Sequence, residues 1–351
     1  MTLRIWIDGW GRVLQAPAII ASVYVVTLGA AVPLALVVGS AVEAHLGRSL
    51  AANAVAEGVH YDWWQEFSAQ AAGVATTFTP AIIGFASTLD HLDGVLDAER
   101  QIVPIAALAV AYLLLWTFLS GGILDRYARQ RPTRAYGFFG AAGACFWRLL
   151  RLALIAAVVY GLLFAYVHGW LLDDAYRRLT RDLSVERTAF IWRVVLYAVF
   201  GALLVAVNIV FDYARVRLVV EDRRSVVGAL RGAVAFVLRH TDRVIAVYAL
   251  NALAFVLLIA IWATVAPGAG GGGWAMWGAF AGAQLYLLAR FVLKLQFLAS
   301  QTALFQASLA HAGYTAAPPP VWPESPAADT IARGGREDFH QPIGADRLHL
   351  E

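Results

Sequence analysis

Long apolar stretches, separated by polar connections that contain arginine, recur along the whole chain. A helix needs about 20 consecutive, mostly apolar residues to cross a hydrocarbon core of about 30 Å. Six stretches meet this requirement, at residues 16–42, 102–122, 149–171, 190–211, 244–265 and 274–293. The pattern therefore predicts an all-α fold, a polytopic bundle of six transmembrane helices.

The composition excludes the soluble classes of protein. Of the 351 residues, 60% are hydrophobic and only 15% are charged, whereas soluble domains carry about 25% charged residues. Cys145 is the only cysteine, so the chain cannot form an internal disulfide. We therefore expect an integral membrane protein. Lys294 is the only lysine beside many arginines and alanines, a bias that is typical of a GC-rich bacterial coding sequence.

The arginines are distributed unevenly between the two sides of the predicted bundle. The segment before the first span and the connections at residues 125–151 and 212–243 contain 15 arginines, and the alternate connections contain seven. Because basic residues that flank spans are retained in the cytoplasm, this distribution places both termini there. The predicted location is the bacterial inner membrane.

The connection at residues 43–101 is predicted to be a helical insertion on the extracytoplasmic side. Within it, residues 71–89 are apolar enough to suggest a seventh span, but Pro80 interrupts them and acidic residues flank both ends. We favour a re-entrant or surface-lying helical hairpin over a crossing, which would put the termini on opposite sides. The membrane domain is predicted to end at residue 311, and the proline-rich residues 312–351 to form a disordered cytoplasmic tail.

A short segment of glycine, alanine, arginine and aromatic residues precedes the first, third and fifth spans. These segments, at residues 5–15, 136–148 and 225–240, have the composition of amphipathic helices that lie in the membrane interface. The pattern suggests three copies of a unit built from one interfacial helix and two spans. The alternative is chance similarity between apolar sequences of low variety.

Residues 225–248, SVVGALRGAVAFVLRHTDRVIAVY, carry a resemblance to known proteins. They resemble a segment that recurs in bacterial six-span membrane proteins of unassigned function, and in the membrane domain attached to some glycerophosphodiester phosphodiesterases. The similarity extends in pattern over residues 102–300. It implies a membrane module that anchors, regulates or handles lipid, and it includes no catalytic motif.

Charged residues within a span are the first candidates for function, because burying a charge costs several kcal/mol unless it is paired or reaches water. Arg290 and Lys294 lie four residues apart, on one face of the last span. A functional interpretation pairs them with Asp212 or Asp125, and Asn208 would add a hydrogen bond. Such a cluster would hold a lipid phosphate or gate a substrate. The alternative is that both cations extend along their aliphatic stems into the headgroups.

Two further patterns concern possible partners. Gly278 and Gly282 form a Gly-x-x-x-Gly motif, which lets another helix approach closely, either within the chain or in a homo-oligomer. Two arginine clusters, at residues 126–134 and 215–224, are expected to contact the anionic headgroups of membrane lipids.

No motif of a known catalytic or nucleotide-binding site is found. The sequence has no HExxH, Gly-x-Ser-x-Gly, Walker A or dinucleotide fingerprint, and no Cys or His pair at zinc spacing. We therefore expect no catalytic site, no cofactor, no metal and no nucleic-acid partner. The leading hypothesis is a scaffold, regulator or lipid-contacting subunit of the inner membrane. The alternative is a transporter or channel for a small or lipidic substrate, with an anionic substrate as one case.

Overall fold

The computed structural model describes residues 2–47, 49–58, 60–78, 94, 97, 103–266 and 273–310. Within these ranges, every regular secondary-structure element is a helix. The helices are α1 (Thr2–Leu14), α2 (Pro17–Leu46), α3 (Ala52–Glu57), α4 (Tyr61–Gln70), α5 (Val103–Arg129), α6 (Ala135–Thr180), α7 (Glu186–Val220), α8 (Val226–Arg239), α9 (Thr241–Val265) and α10 (Trp274–Ala310). Six of them, α2, α5, α6, α7, α9 and α10, are long and apolar enough to cross a membrane. The protein is therefore a multi-pass helical membrane protein, as predicted.

A proline and a capping serine explain where the short amphipathic helix α1 ends and where α8 begins. Pro17 occupies the first turn of α2, a position where its missing N–H costs nothing, and it separates α1 from the span. Ser225 caps α8 by accepting a hydrogen bond from the backbone N–H of Gly228 at 3.1 Å. The predicted helices before the first and fifth spans are therefore separate elements.

The structure differs from the prediction before the third span. Residues 136–148 are the first turns of one continuous helix, α6, and not a separate helix. No proline interrupts residues 135–180, and the buried stripe of Ala142, Cys145, Leu149 and Leu152 runs across the expected boundary. This stripe packs on α5, where a Cβ at Gly121 would lie 3.0 Å from Cys145.

The six long helices alternate in direction. Arg12 at the end of α1 contacts Tyr127 near the end of α5 and Gln306 near the end of α10. Arg148 of α6 contacts Asp222, just after α7. One end of the bundle, here called the α1 end, thus contains the starts of α2, α6 and α9 and the last turns of α5, α7 and α10.

Most of the largest fully buried side chains lie at the α1 end, among them Tyr127, Tyr213, Phe305 and Leu304. At the opposite end of α2, its last turns form a small cluster with Trp63 and Phe67 of α4. Between these two regions, much of the surface consists of exposed apolar side chains, as expected for a surface that contacts lipid and not water.

Residues Met1–Ser308 form one compact unit. The predicted tail, residues 312–351, lies outside the described residues, and so does the part of the predicted hairpin beyond Phe78. The described part of that hairpin contains a single 3₁₀ helix at Gly73–Thr77.

Candidate functional site

A cavity of about 710 Å³ lies between α2, α5 and α10, with Phe255 of α9 at its margin. Most of its wall is apolar. The side chains that form this wall include Ala30, Ala31, Leu34, Leu108, Leu287 and Phe291. Arg290 and Lys294, the two cations predicted to be functional, both line the cavity.

Aromatic rings, rather than carboxylates, contact these two cations. The Lys294 Nζ lies 3.6 Å from the centroid of the Trp116 ring, and the Arg290 guanidinium lies 5.7 Å from that of Tyr286. Cation–π contacts contribute about 0.5–2 kcal/mol each, depending on burial. Within the described ranges, no carboxylate oxygen lies within 4.0 Å of either cation. Their N–H groups therefore remain available to a ligand.

The other polar groups of the cavity are hydroxyls. The Thr27 hydroxyl donates to the backbone oxygen of Val23 at 2.8 Å, and its oxygen lies 3.4 Å from the Tyr112 hydroxyl. Because the Thr27 proton is already donated, the Tyr112 hydroxyl is the donor of the second, longer bond. No acidic residue is among the described residues that line the cavity, so its polar surface is predominantly cationic and hydrogen-bond donating.

A second polar site surrounds Asp212 near the α1 end. Its Oδ2 accepts hydrogen bonds from the Tyr248 hydroxyl at 2.6 Å, Gln301 Nε2 at 3.0 Å and Asn208 Nδ2 at 3.2 Å. The Arg215 guanidinium lies 3.6 Å from the other carboxylate oxygen. Four charged or polar side chains thus satisfy this carboxylate and connect α7, α9 and α10.

The structure distributes the five predicted site residues over three places. Asn208 and Asp212 lie together, Arg290 and Lys294 lie together in the cavity, and Asp125 pairs with Arg129 at 2.8 Å. Asp212 is separated from the two cations because they lie at different depths along α10. Asp212 lies level with Gln301, which is two helical turns, or about 10 Å, nearer the α1 end than Lys294.

Sequence reasoning missed the role of Arg12. This residue is 7% exposed, and its Nη1 donates to the backbone oxygen of Tyr127 at 3.0 Å and to Gln306 Oε1 at 2.7 Å. Asp8 pairs with it at 2.8 Å. Burial lowers the pKa of Arg12, and the Asp8 carboxylate acts in the opposite direction. Arg12 therefore ties α1 to the last turns of α5 and α10.

A buried hydrogen-bond network completes the attachment of α1. The Trp6 indole donates to Asn251 Oδ1 at 2.9 Å, Asn251 Nδ2 donates to Ser300 Oγ at 2.9 Å, and Gln296 Nε2 donates to the backbone oxygen of Trp6 at 2.8 Å. The signal for this network was present in the sequence, because Gln296 and Ser300 are polar residues four apart, on one face of the last long helix.

The predicted partner surfaces are largely exposed. A Cβ at Gly282 would lie 3.9 Å from Trp262 of α9, and a Cβ at Gly278 would have no neighbour within 4 Å. Gly278 is therefore open to a partner outside the chain. In the arginine clusters, Arg126 donates to the backbone oxygen of Gln15, while exposed arginines remain for headgroups: Arg131, Arg134 and Arg224.

Metal-binding geometry is not found in the part of the chain that the structure describes, where no three His, Cys, Asp or Glu side chains are grouped to hold an ion.

No family model matches the chain, and neither a curated protein nor a solved structure is significantly similar to it. The comparisons thus identify no family, and the resemblance to six-span membrane proteins of unassigned function stays a prediction.

Proposed function

We propose that the protein is a lipid-contacting scaffold or regulatory subunit of the bacterial inner membrane, without a catalytic site and with both termini in the cytoplasm. One observation carries the proposal. Arg290 and Lys294 line an apolar cavity in which no described carboxylate balances their charge. An anionic lipid would supply both the negative charge and the apolar surface that this cavity matches.

The exposed arginines at the α1 end support the proposed orientation. Arg131, Arg134 and Arg224 lie at this end and are solvent-exposed. Each juxtamembrane cation contributes about 1 kcal/mol of attraction to an anionic leaflet. The α1 end would accordingly face the cytoplasm and bind the acidic headgroups of the inner leaflet.

The state of Asp212 supports a role without catalysis. A general base must lie within hydrogen-bond reach of the substrate proton that it takes, but the positions around Asp212 Oδ2 are occupied by Tyr248, Gln301 and Asn208, which hydrogen-bond to it. The carboxylate is thus better suited to connecting helices than to chemistry.

Lipid retention after purification tests the proposal. We expect the wild-type protein, extracted in a mild neutral detergent, to retain an anionic lipid that native mass spectrometry detects. The double variant Arg290→Leu/Lys294→Leu should lose most of it. Arg177 and Arg178 are exposed near the opposite end of α6, so Arg177→Leu/Arg178→Leu is the matched control. A folded double variant that retains the wild-type amount of anionic lipid would contradict the proposal.

A transporter is the second candidate, and one feature favours it. Trp116, whose ring contacts Lys294, also lines a small pocket of about 40 Å³ together with Thr117 and Arg215. This pocket lies between α5, α6 and α7, and Trp116 contacts Lys294, which lines the larger cavity. Transport predicts that Trp116→Ala changes the flux of a labelled anionic lipid in proteoliposomes. Wild-type vesicles with no flux above empty vesicles would exclude this function.

A further inference from the structure

Thr27, Tyr112 and Lys294 lie toward one end of the cavity, and Leu34 and Leu287 lie toward the other. Thr27 and Leu34 are seven residues apart on α2, and Lys294 and Leu287 are seven apart on α10. Because α2 starts and α10 finishes at the α1 end, Thr27 and Lys294 lie nearer that end by two helical turns, about 10 Å. Tyr112, which contacts both Thr27 and Lys294, lies on the same side.

The polar end of the cavity is selective for charge. Lys294 offers three N–H donors and Arg290 five, and the Tyr112 hydroxyl can turn away from its long, 3.4 Å bond to Thr27. An amine or an uncharged headgroup would leave two cations without a counterion. A carboxylate or phosphate would accept bonds from all three side chains and neutralise charge.

The volume limits the number of acyl chains. A cavity of about 710 Å³ lies within the range of about 300–1,000 Å³ that is typical of sites for one drug-sized molecule. A phospholipid with two acyl chains is larger than such a molecule. The apolar wall formed by Leu34, Leu108 and Leu287 is suited to one alkyl chain that continues from the charged end.

We propose that this cavity binds one single-chain anionic amphiphile, with its carboxylate or phosphate at Lys294 and Arg290 and its chain along Leu34 and Leu287. The inference rests on the proposed lipid-contacting function and narrows it to a class of ligand. The headgroup lies toward the α1 end and the tail lies toward the middle of the bundle. Palmitate and a lysophosphatidate are two sources of this chemistry.

Binding to the delipidated full-length protein in neutral detergent tests the inference. Native mass spectrometry is used to titrate four probes: palmitate, lysophosphatidate, hexadecanol and dipalmitoyl phosphatidylglycerol. We expect one molecule of palmitate or of lysophosphatidate per chain. Hexadecanol, which has no charge, should bind at least about tenfold more weakly, a difference of about 1.4 kcal/mol.

Two kinds of variant separate the headgroup from the tail. Lys294→Met removes a charge and should weaken palmitate binding at least about tenfold. Ala31 lines the cavity and is exposed, so Ala31→Phe should fill the tail region and block binding while both cations remain. Arg177→Met is the control and should bind palmitate as the wild type does. Melting temperatures establish that each variant is folded.

The outcomes distinguish this inference from the broader function. If phosphatidylglycerol binds as tightly as palmitate, depends on Lys294 and is unaffected by Ala31→Phe, the single-chain assignment is wrong but the lipid-contacting function stands. If none of the anionic probes binds, both fail. Binding of palmitate alone, or of lysophosphatidate alone, supports the inference and identifies the headgroup.

Discussion

Asp212 is held by donors from three helices, and its burial makes those donors important. The side chain is 13% exposed, and an incompletely paired buried carboxylate is destabilising. Tyr248 has a central role because its hydroxyl donates to Asp212 and also accepts from Gln301 Nε2 at 2.7 Å. Neighbouring Tyr213 differs, since its buried hydroxyl has no hydrogen-bond partner among the described residues.

These two tyrosines give a matched test. We expect Tyr248→Phe to lower the free energy of unfolding by about 1–3 kcal/mol, because it removes a hydrogen bond to a charged group. Tyr213→Phe should be neutral or slightly stabilising, since it removes an unpaired hydroxyl. The check is reversible unfolding of both variants in the same detergent. Equal losses from the two variants would show that the Asp212 network does not contribute as described.

The α1 helix has two different faces. Ile5, Gly9 and Val13 are buried against the bundle, while Leu3, Ile7 and Leu14 are more than half exposed. Exposed apolar residues at this spacing form a stripe that would contact the membrane surface. The helix is therefore amphipathic, as its composition predicts, and it is also part of the core through Arg12 and through the hydrogen bond from Trp6 to Asn251.

Close backbone contact is the reason for glycine at position 9. A Cβ there would lie 3.0 Å from the backbone of Ser300, whereas a Cβ at Gly11 would meet nothing within 4 Å. Through helix propensity alone, alanine in place of glycine stabilises the helix by about 1 kcal/mol at either position.

We therefore expect opposite effects from two identical substitutions in one helix. Gly11→Ala should leave the melting temperature unchanged or raise it. Gly9→Ala should lower it and expose α1 to limited proteolysis, because the steric contact with α10 outweighs the gain in propensity. Stabilisation by both substitutions would mean that α1 does not pack on α10 at this distance.

At the scale of the whole molecule, α1 and the last turns of α10 lie at the same end. The bond between Arg12 and Gln306, at 2.7 Å, requires this arrangement, so we expect an even number of membrane crossings between the two residues. Tyr61 of α4, which follows the far end of α2 and is 61% exposed, is expected on the other side.

Cysteine labelling in intact cells tests this topology. In a Cys145→Ala background, Thr2→Cys and Ser308→Cys should react with a membrane-impermeant maleimide only after the cells are opened. Tyr61→Cys should react in intact cells. Labelling of Thr2→Cys and Ser308→Cys from different sides would contradict the six-span arrangement, and labelling of both from outside would reverse the proposed orientation.

Several features of the molecule follow from the sequence alone. The six spans do, because solvation by lipid requires about 20 apolar residues in each helix, wherever its neighbours lie. The separation of α1 from α2 follows from Pro17, and that of α8 from its neighbours follows in part from the Ser225 cap. These are properties of contiguous residues, so a linear pattern contains them.

Only the tertiary structure decided which polar groups meet. The sequence identified Asp212, Arg290 and Lys294 as candidates, but it could not show that Asp212 bonds to Tyr248 or that Lys294 contacts Trp116. Such contacts depend on how far each helix is rotated and shifted along its axis against helices distant in the chain. Helical periodicity fixes the spacing of residues on one face, but the relative depth of two faces is set by packing between helices.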